Sequence, residues 1–100
     1  MKVNLIVVDN FYDNPDQVRE FALAQQFEVR GNYPGLRTKS FLNDSQKAVI
    51  DALLRYPAGG VSDWLLDENS DGYDGAFQIC TQNDRTWIHS DYNNMWAGVC

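Results

Sequence analysis

Pro57 and the pair Gly59-Gly60 divide this sequence into two parts with different hydrophobic periods. Pro has no backbone N–H to donate and Gly adds no side chain to hold a regular element, so no single helix or strand is expected to run through this point. Before it, two segments carry helix signals. Asn14-Pro15-Asp16 places a capping amide, a Pro at the first helical position and an acid in the first turn. Val18, Phe21, Ala22 and Gln25 follow at helical spacing, which predicts a helix from Pro15 to Gln26. A second helix opens near Asn43-Asp44-Ser45, buries Val49, Ile50, Leu53 and Leu54, and ends before Pro57.

Strand signals surround and follow the helices. Val3 to Val8 is rich in β-branched residues and closes on Asp9-Asn10, so it reads as an opening strand. Phe27 to Arg30 reads as a short strand, and Pro34-Gly35 as a turn within the loop from Gly31 to Leu36. Past the glycines, Val61 to Leu66 is a short apolar run, and Asp67 to Asp74 is an acidic loop. Gly75 to Thr81 alternates as a half-buried strand does, Gln82-Asn83-Asp84 supplies a turn, and Arg85 to Ser90 returns as another strand. Tyr92-Asn93-Asn94 then leads into the apolar run Met95 to Cys100. The expected class is α+β in one domain, with residues 1–60 as a strand-and-helix lead-in and 61–100 as the first strands of a sheet. The last run has a buried strand's character with no turn, cap or polar tail after it. The expectation is therefore a part of a longer protein, or a sheet that another chain completes by self-association through that unpaired strand.

Charge narrows the partners. Eight basic residues against fourteen acidic ones give a net charge of −6, and the basic residues stand singly. Nucleic-acid affinity comes largely from clustered Lys and Arg, so no nucleic-acid surface is expected. No apolar stretch approaches the roughly 20 residues of a membrane span, and Met1 to Val8 lacks the cleavage site of a signal peptide. The protein reads as cytoplasmic. Cys80 and Cys100 have no secretory context to support a disulfide and read as small buried thiols.

His89-Ser90-Asp91 is the place where metal chemistry is written into the sequence. Residues two apart on a strand share a face, so an imidazole and a carboxylate at this spacing converge on one ion. Together they make two thirds of a 2-His-1-carboxylate facial triad, which leaves open positions on Fe(II) for a co-substrate and oxygen. Ser90 faces the other side of the strand and forms no catalytic dyad with His89. Trp87, two residues before His89, shares its face as a pocket wall or as core packing.

The stretch from Gly75 to Cys100 resembles the start of the double-stranded β-helix, or jelly roll, of Fe(II)/2-oxoglutarate-dependent oxygenases, in the prolyl-4-hydroxylase-like branch. The shared plan is a strand, a tight turn, a strand ending in His-x-Asp, a loop and an apolar strand. Val8-Asp9-Asn10-Phe11-Tyr12, with Pro15 opening the first helix, is similar to the lead-in of uncharacterised bacterial and phage proteins related to that superfamily. The resemblance implies that His89 and Asp91 are metal ligands and that Fe(II) and 2-oxoglutarate are the cofactors. It also implies oxidative decarboxylation of 2-oxoglutarate coupled to hydroxylation of a small-molecule or peptide substrate.

The chain departs from the family pattern at three points. The family carries a second metal-binding His downstream, then a basic residue for the far carboxylate of 2-oxoglutarate; His89 is the only histidine here, and nine residues follow Asp91. Many members carry a Tyr about nine residues before the first ligand, where this chain has Cys80. The resemblance therefore makes this chain the N-terminal portion of a dioxygenase, active only in a longer parent. Two alternatives remain beside it. One is a non-catalytic structural or interaction protein that retains the fold. The other is a zinc module built from Cys80, His89, Asp91 and Cys100, whose ligand types suit zinc although the spacing lacks the usual tight pairs. The acidic loop with Asp67, Glu68, Asp71 and Asp74 lacks the spacing and closing Glu of a calcium loop.

Overall fold

The computed structural model describes residues 3–64, 74–89 and 96–100. Among them are four elements in the order α1 (Pro15–Leu23), β1 (Leu36–Arg37), α2 (Asp44–Ala58) and β2 (Gln78–Ile79). The class is α+β, as the two periods indicated.

Both helices start where the caps predicted. The Asn14 side chain accepts from the Gln17 backbone N–H at 3.2 Å, and Pro15 occupies the first turn, where a missing N–H costs nothing. α1 stops at Leu23 rather than Gln26. The Gln25 side chain donates to the Phe21 carbonyl at 3.0 Å, and the Gln25 N–H turns to Ala22, so the last carbonyls are satisfied without another helical turn. At α2, Asn43 and Gln46 form a reciprocal capping box: Gln46 N–H donates to Asn43 Oδ1 at 2.9 Å, and Asn43 N–H donates to Gln46 Oε1 at 3.2 Å.

α2 does not end before Pro57, as expected, but continues through it to Ala58. Pro57 sits in the last turn, where the helix gives up only the bond that its N–H would have made to Leu53. The stop comes from Gly59, which takes the left-handed conformation (φ 81°) and donates to Arg55 O at 2.9 Å, while Gly60 N–H reaches Leu54 O at 3.2 Å.

β1 and β2 pair antiparallel, Leu36 opposite Ile79 and Arg37 opposite Gln78. The expected strand at 27–30 reduces to one bridge, Val29 with Arg37, on the other edge of β1. The pairing loosens beyond the strands without ending. Thr38 N–H donates to Phe77 O at 2.9 Å, Phe77 N–H donates to Thr38 Oγ1 at 3.0 Å, and Phe41 N–H donates to Gly75 O at 3.0 Å. A side-chain oxygen thus stands in for one backbone acceptor, and Thr38, at 1% exposure, is the one fully buried residue among those described. Gly35 makes the approach possible. Its φ is +72°, and a Cβ there would strike the Ile79 carbonyl and the Cys80 sulfur.

Between α1 and the segments that flank β1 and β2, three rings pack: Phe21 on Phe41 at 5.1 Å between centroids, Phe41 on Phe77 at 5.9 Å and Phe21 on Phe77 at 6.1 Å. This is the apolar centre, yet no apolar side chain among the described residues is fully buried. The accessible surface is 8716 Å², against about 5,800 Å² for a compact chain of this mass. Leu5, Val7, Tyr56, Ile88 and Val99 stand largely exposed.

Several expected strands are absent. Residues 3–8, 61–64, 85–89 and 96–100 lie in no strand, and the predicted strand at 75–81 is regular only at Gln78–Ile79. The physical reason is common to all: β-branched runs become strands only when a ladder partner takes their N–H and C=O groups, and among the described residues the pairing involves 36–41 with 75–79 and the single bridge from Val29 to Arg37. Leu65, Leu66, Ser90 and Met95 lie outside the described residues, as does the acidic loop up to residue 73. No helix among the described residues is long and apolar enough to cross a membrane.

Candidate metal site

The segment bearing the motif is set by the turn that precedes it. Asp84 Oδ2 accepts from Thr81 N–H at 2.5 Å and from Thr81 Oγ1 at 3.1 Å, while Asp84 N–H donates to Thr81 O at 3.0 Å. This is the turn predicted at Gln82-Asn83-Asp84, with the carboxylate closing it in the manner of Asx-type turns. It redirects the chain from β2 into residues 85–89.

His89 lies exposed at the end of that segment. Its Nδ1 is 3.2 Å from the Trp87 carbonyl oxygen. A carbonyl only accepts, so Nδ1 must be the donor, and the lone pair of the neutral ring then resides on Nε2. The Trp87 indole lies 5.9 Å from the imidazole, centroid to centroid, tilted by 42°. Trp87 and His89 therefore share a face, as their two-residue separation predicted, although the segment lies in no strand among the described residues.

Asp91, the second residue of the pair, lies outside the described residues. Among the described residues no three His, Cys, Asp or Glu side chains converge as a metal cluster. The two cysteines are free thiols and, contrary to expectation, both are exposed. The sheet and helices do not close over them. They also have separate neighbours. Cys80 Sγ is 3.5 Å from Pro34 O and receives Gln78 Nε2 at 3.4 Å. Cys100 Sγ lies 3.0 Å from the Tyr12 hydroxyl.

The Tyr12–Cys100 contact is the pairing that sequence reasoning missed. It joins residues 88 apart, and neither residue belongs to a motif that could have announced it. Its chemical effect is on the phenol, which is pushed up to about 12, first by the hydrogen bond to Cys100, then by partial burial and by the charge of the thiolate. An open hollow of about 510 Å³ lined by Asn10, Phe11, Tyr12, Asp13 and Pro15 lies on the same side, and none of its lining residues belongs to the 85–89 segment.

Of the two candidate ligands, His89 is the one that lies among the described residues. A metal-binding imidazole needs one nitrogen held by a second group, so that the other presents its lone pair in a fixed direction. His89 meets that requirement through the Trp87 carbonyl. Compared with protein-family models, with curated proteins and with solved structures, the chain finds no match.

Proposed function

We propose that His89 and Asp91 are two of the three protein ligands of an Fe(II) centre in a 2-oxoglutarate-dependent oxygenase of the prolyl-4-hydroxylase-like kind, and that residues 75–100 enter its jelly roll. The observation that carries this reading is the hydrogen bond from His89 Nδ1 to the Trp87 carbonyl, which turns Nε2 into the ligating atom. Asp91, two residues on, brings a carboxylate that offsets part of the metal's charge. Trp87 screens one side of the imidazole from water. The third ligand and the basic partner of 2-oxoglutarate come from outside these hundred residues, because His89 is their only histidine. Bound at such a centre, Fe(II) and 2-oxoglutarate supply the oxidative decarboxylation that drives hydroxylation of a substrate C–H bond. The residues of this chain bind, orient and shield; none acts as an acid or base. Two exposed free thiols suit a reducing cytoplasm, where Fe(II) also persists.

Anaerobic equilibrium dialysis of Fe(II) against the chain, with and without 2-oxoglutarate, tests the assignment. Weak binding that strengthens with 2-oxoglutarate is expected. In His89→Ala it should fall by more than the roughly ten- to hundredfold that an outer-shell change typically costs. Unaltered binding in His89→Ala would sink the assignment, and tight zinc with thiolate absorption would turn it toward the Cys80, His89, Asp91 and Cys100 alternative. Succinate release is expected only where a third metal ligand and a basic partner for 2-oxoglutarate are also supplied.

One observation favours a second reading. Tyr56, Ile88 and Val99 are almost wholly exposed, and exposed apolar side chains can serve association where they gather into a patch. A chain that binds no Fe(II) yet sediments as an oligomer would be an interaction protein that keeps part of the fold.

A further inference from the structure

We infer that Trp87 is the positioning residue of His89: its carbonyl selects the ring nitrogen that ligates, and its indole holds the ring against rotation. This rests on the proposed metal role of His89 for its consequence, though not for its geometry. Two separate parts of one residue act on the same imidazole. The carbonyl oxygen lies 3.2 Å from Nδ1, and the indole lies 5.9 Å away at a tilt of 42°, within the range of attractive ring pairs.

The two contacts restrict different motions. A half-turn of the imidazole about its bond to Cβ would bring a carbon to the carbonyl and lose the hydrogen bond, so the carbonyl fixes which ring edge points back toward residue 87. The bond alone permits the ring to tilt around the N–H···O axis, and the indole blocks that tilt on one side. The hydrogen bond also sets the chemistry. It places the proton of the neutral ring on Nδ1 and leaves Nε2 as the electron-pair donor. Outer groups of this kind both orient a ligating histidine and raise its basicity. Here the group is supplied from two residues upstream and arrives with the ligand. That matters for a segment that lies in no strand among the described residues, because the two contacts set the ligand's orientation without a ladder. The indole is itself 45% exposed, so it shields one side of the imidazole and leaves the approach to the site from solvent open.

Because His89 is the only histidine, its ring nitrogens give unambiguous signals in long-range ¹H–¹⁵N correlation spectra of the whole chain. With the ring neutral and no metal added, the Nδ1–H form should dominate. In Trp87→Ala the carbonyl stays but the indole is gone, and the signals should move to a mixture of the two tautomers. Trp87→Phe should restore the Nδ1–H form. Co(II) affinity should fall about three- to tenfold in Trp87→Ala, at the mild end of outer-shell effects because the acceptor oxygen survives, and recover in Trp87→Phe. Circular dichroism of all three proteins should coincide, since no helix or strand includes residue 87. A dominant Nε2–H form in the wild type would overturn the inference. So would an unchanged tautomer balance in Trp87→Ala. If the tautomers behave as stated and Co(II) and Fe(II) both fail to bind, the positioning stands and the oxygenase reading falls, so the two failures are separable.

Discussion

α2 and the segment 85–89 make an instructive pair, because one is a regular element tied by bonds to its neighbours in sequence and the other, among the described residues, belongs to no helix or strand. α2 has its Asn43–Gln46 capping box, Asp44 in the first turn, Arg55 in the last and a left-handed Gly59 at its end. The Asp51 carboxylate then reaches past the helix to the Val61 N–H at 2.8 Å and also meets Arg55. Every one of these partners lies within ten residues of the other. Residues 85–89 lie in no helix or strand and carry the chemically interesting side chains, and a bond within the stretch runs between His89 and Trp87. Helices satisfy their own backbones, whereas strands require a partner that local sequence does not specify. Ordered structure and candidate chemistry therefore sit in different parts of the molecule.

The comparison breaks most severely at Gly35. Alanine there would have to hold a φ of +72° and would drive its Cβ into the Ile79 carbonyl. The expected cost is about 3 kcal/mol, the upper range for backbone strain at a site of this kind. The measurement is nuclear Overhauser contact between Leu36 and Ile79, which should vanish while the amides of α2 keep their shifts. Loss of both together would mean that the helix depends on the sheet, and the contrast between local and non-local support would fail.

A smaller effect tests the local side. Asn43→Ala removes the Oδ1 acceptor of Gln46 N–H and should cost about 1 kcal/mol, as cap losses typically do. Faster hydrogen exchange at the first turn of α2, with unchanged exchange around Arg37 and Gln78, is the expected readout. Slower or equal exchange at Gln46 would show that the capping box contributes nothing.

The same division explains what could be read from the sequence. Asn14-Pro15, Asn43-Asp44 and the Gln82-Asn83-Asp84 turn were all legible, because each works through bonds spanning a few residues. The end of α2 was misplaced by two residues since Pro57 looks like a stop but is tolerated in a final turn. The strands were read from β-branched runs, and that signal says a segment fits a sheet without saying whether a sheet is there. Leu36, by contrast, closes the segment expected as a loop, yet Leu36–Arg37 forms a strand because Gln78–Ile79 lies against it 40 or so residues away. At the candidate site, the shared face of Trp87 and His89 followed from their spacing. The proton on Nδ1 did not, because it depends on how the ring turns back onto its own chain.

The gentlest test of the contrast is acid. Asp51 is held below the usual carboxylate value, first by the Val61 backbone N–H and then by Arg55, with desolvation opposing. A carboxyl group whose folded-state pKa is depressed contributes stability that is fully present above its unfolded value, near 4. The contribution is lost as pH falls through the folded value. Protonation removes the charge that attracts Arg55 and weakens the hold on Val61 N–H. The Arg55 pair is a surface ion pair and is expected to add little by itself, so the tie to Val61 should dominate the response. The Val61 amide should keep a constant shift from neutral pH down through the ordinary carboxylate range and move only below it. Asp51→Asn retains an acceptor oxygen for Val61 and cannot ionise, so its Val61 amide should show no acid transition at all. A transition at or above the ordinary carboxylate value in the wild type would mean that the tie is not formed in solution. α2 would then end as loosely as the segment that carries His89.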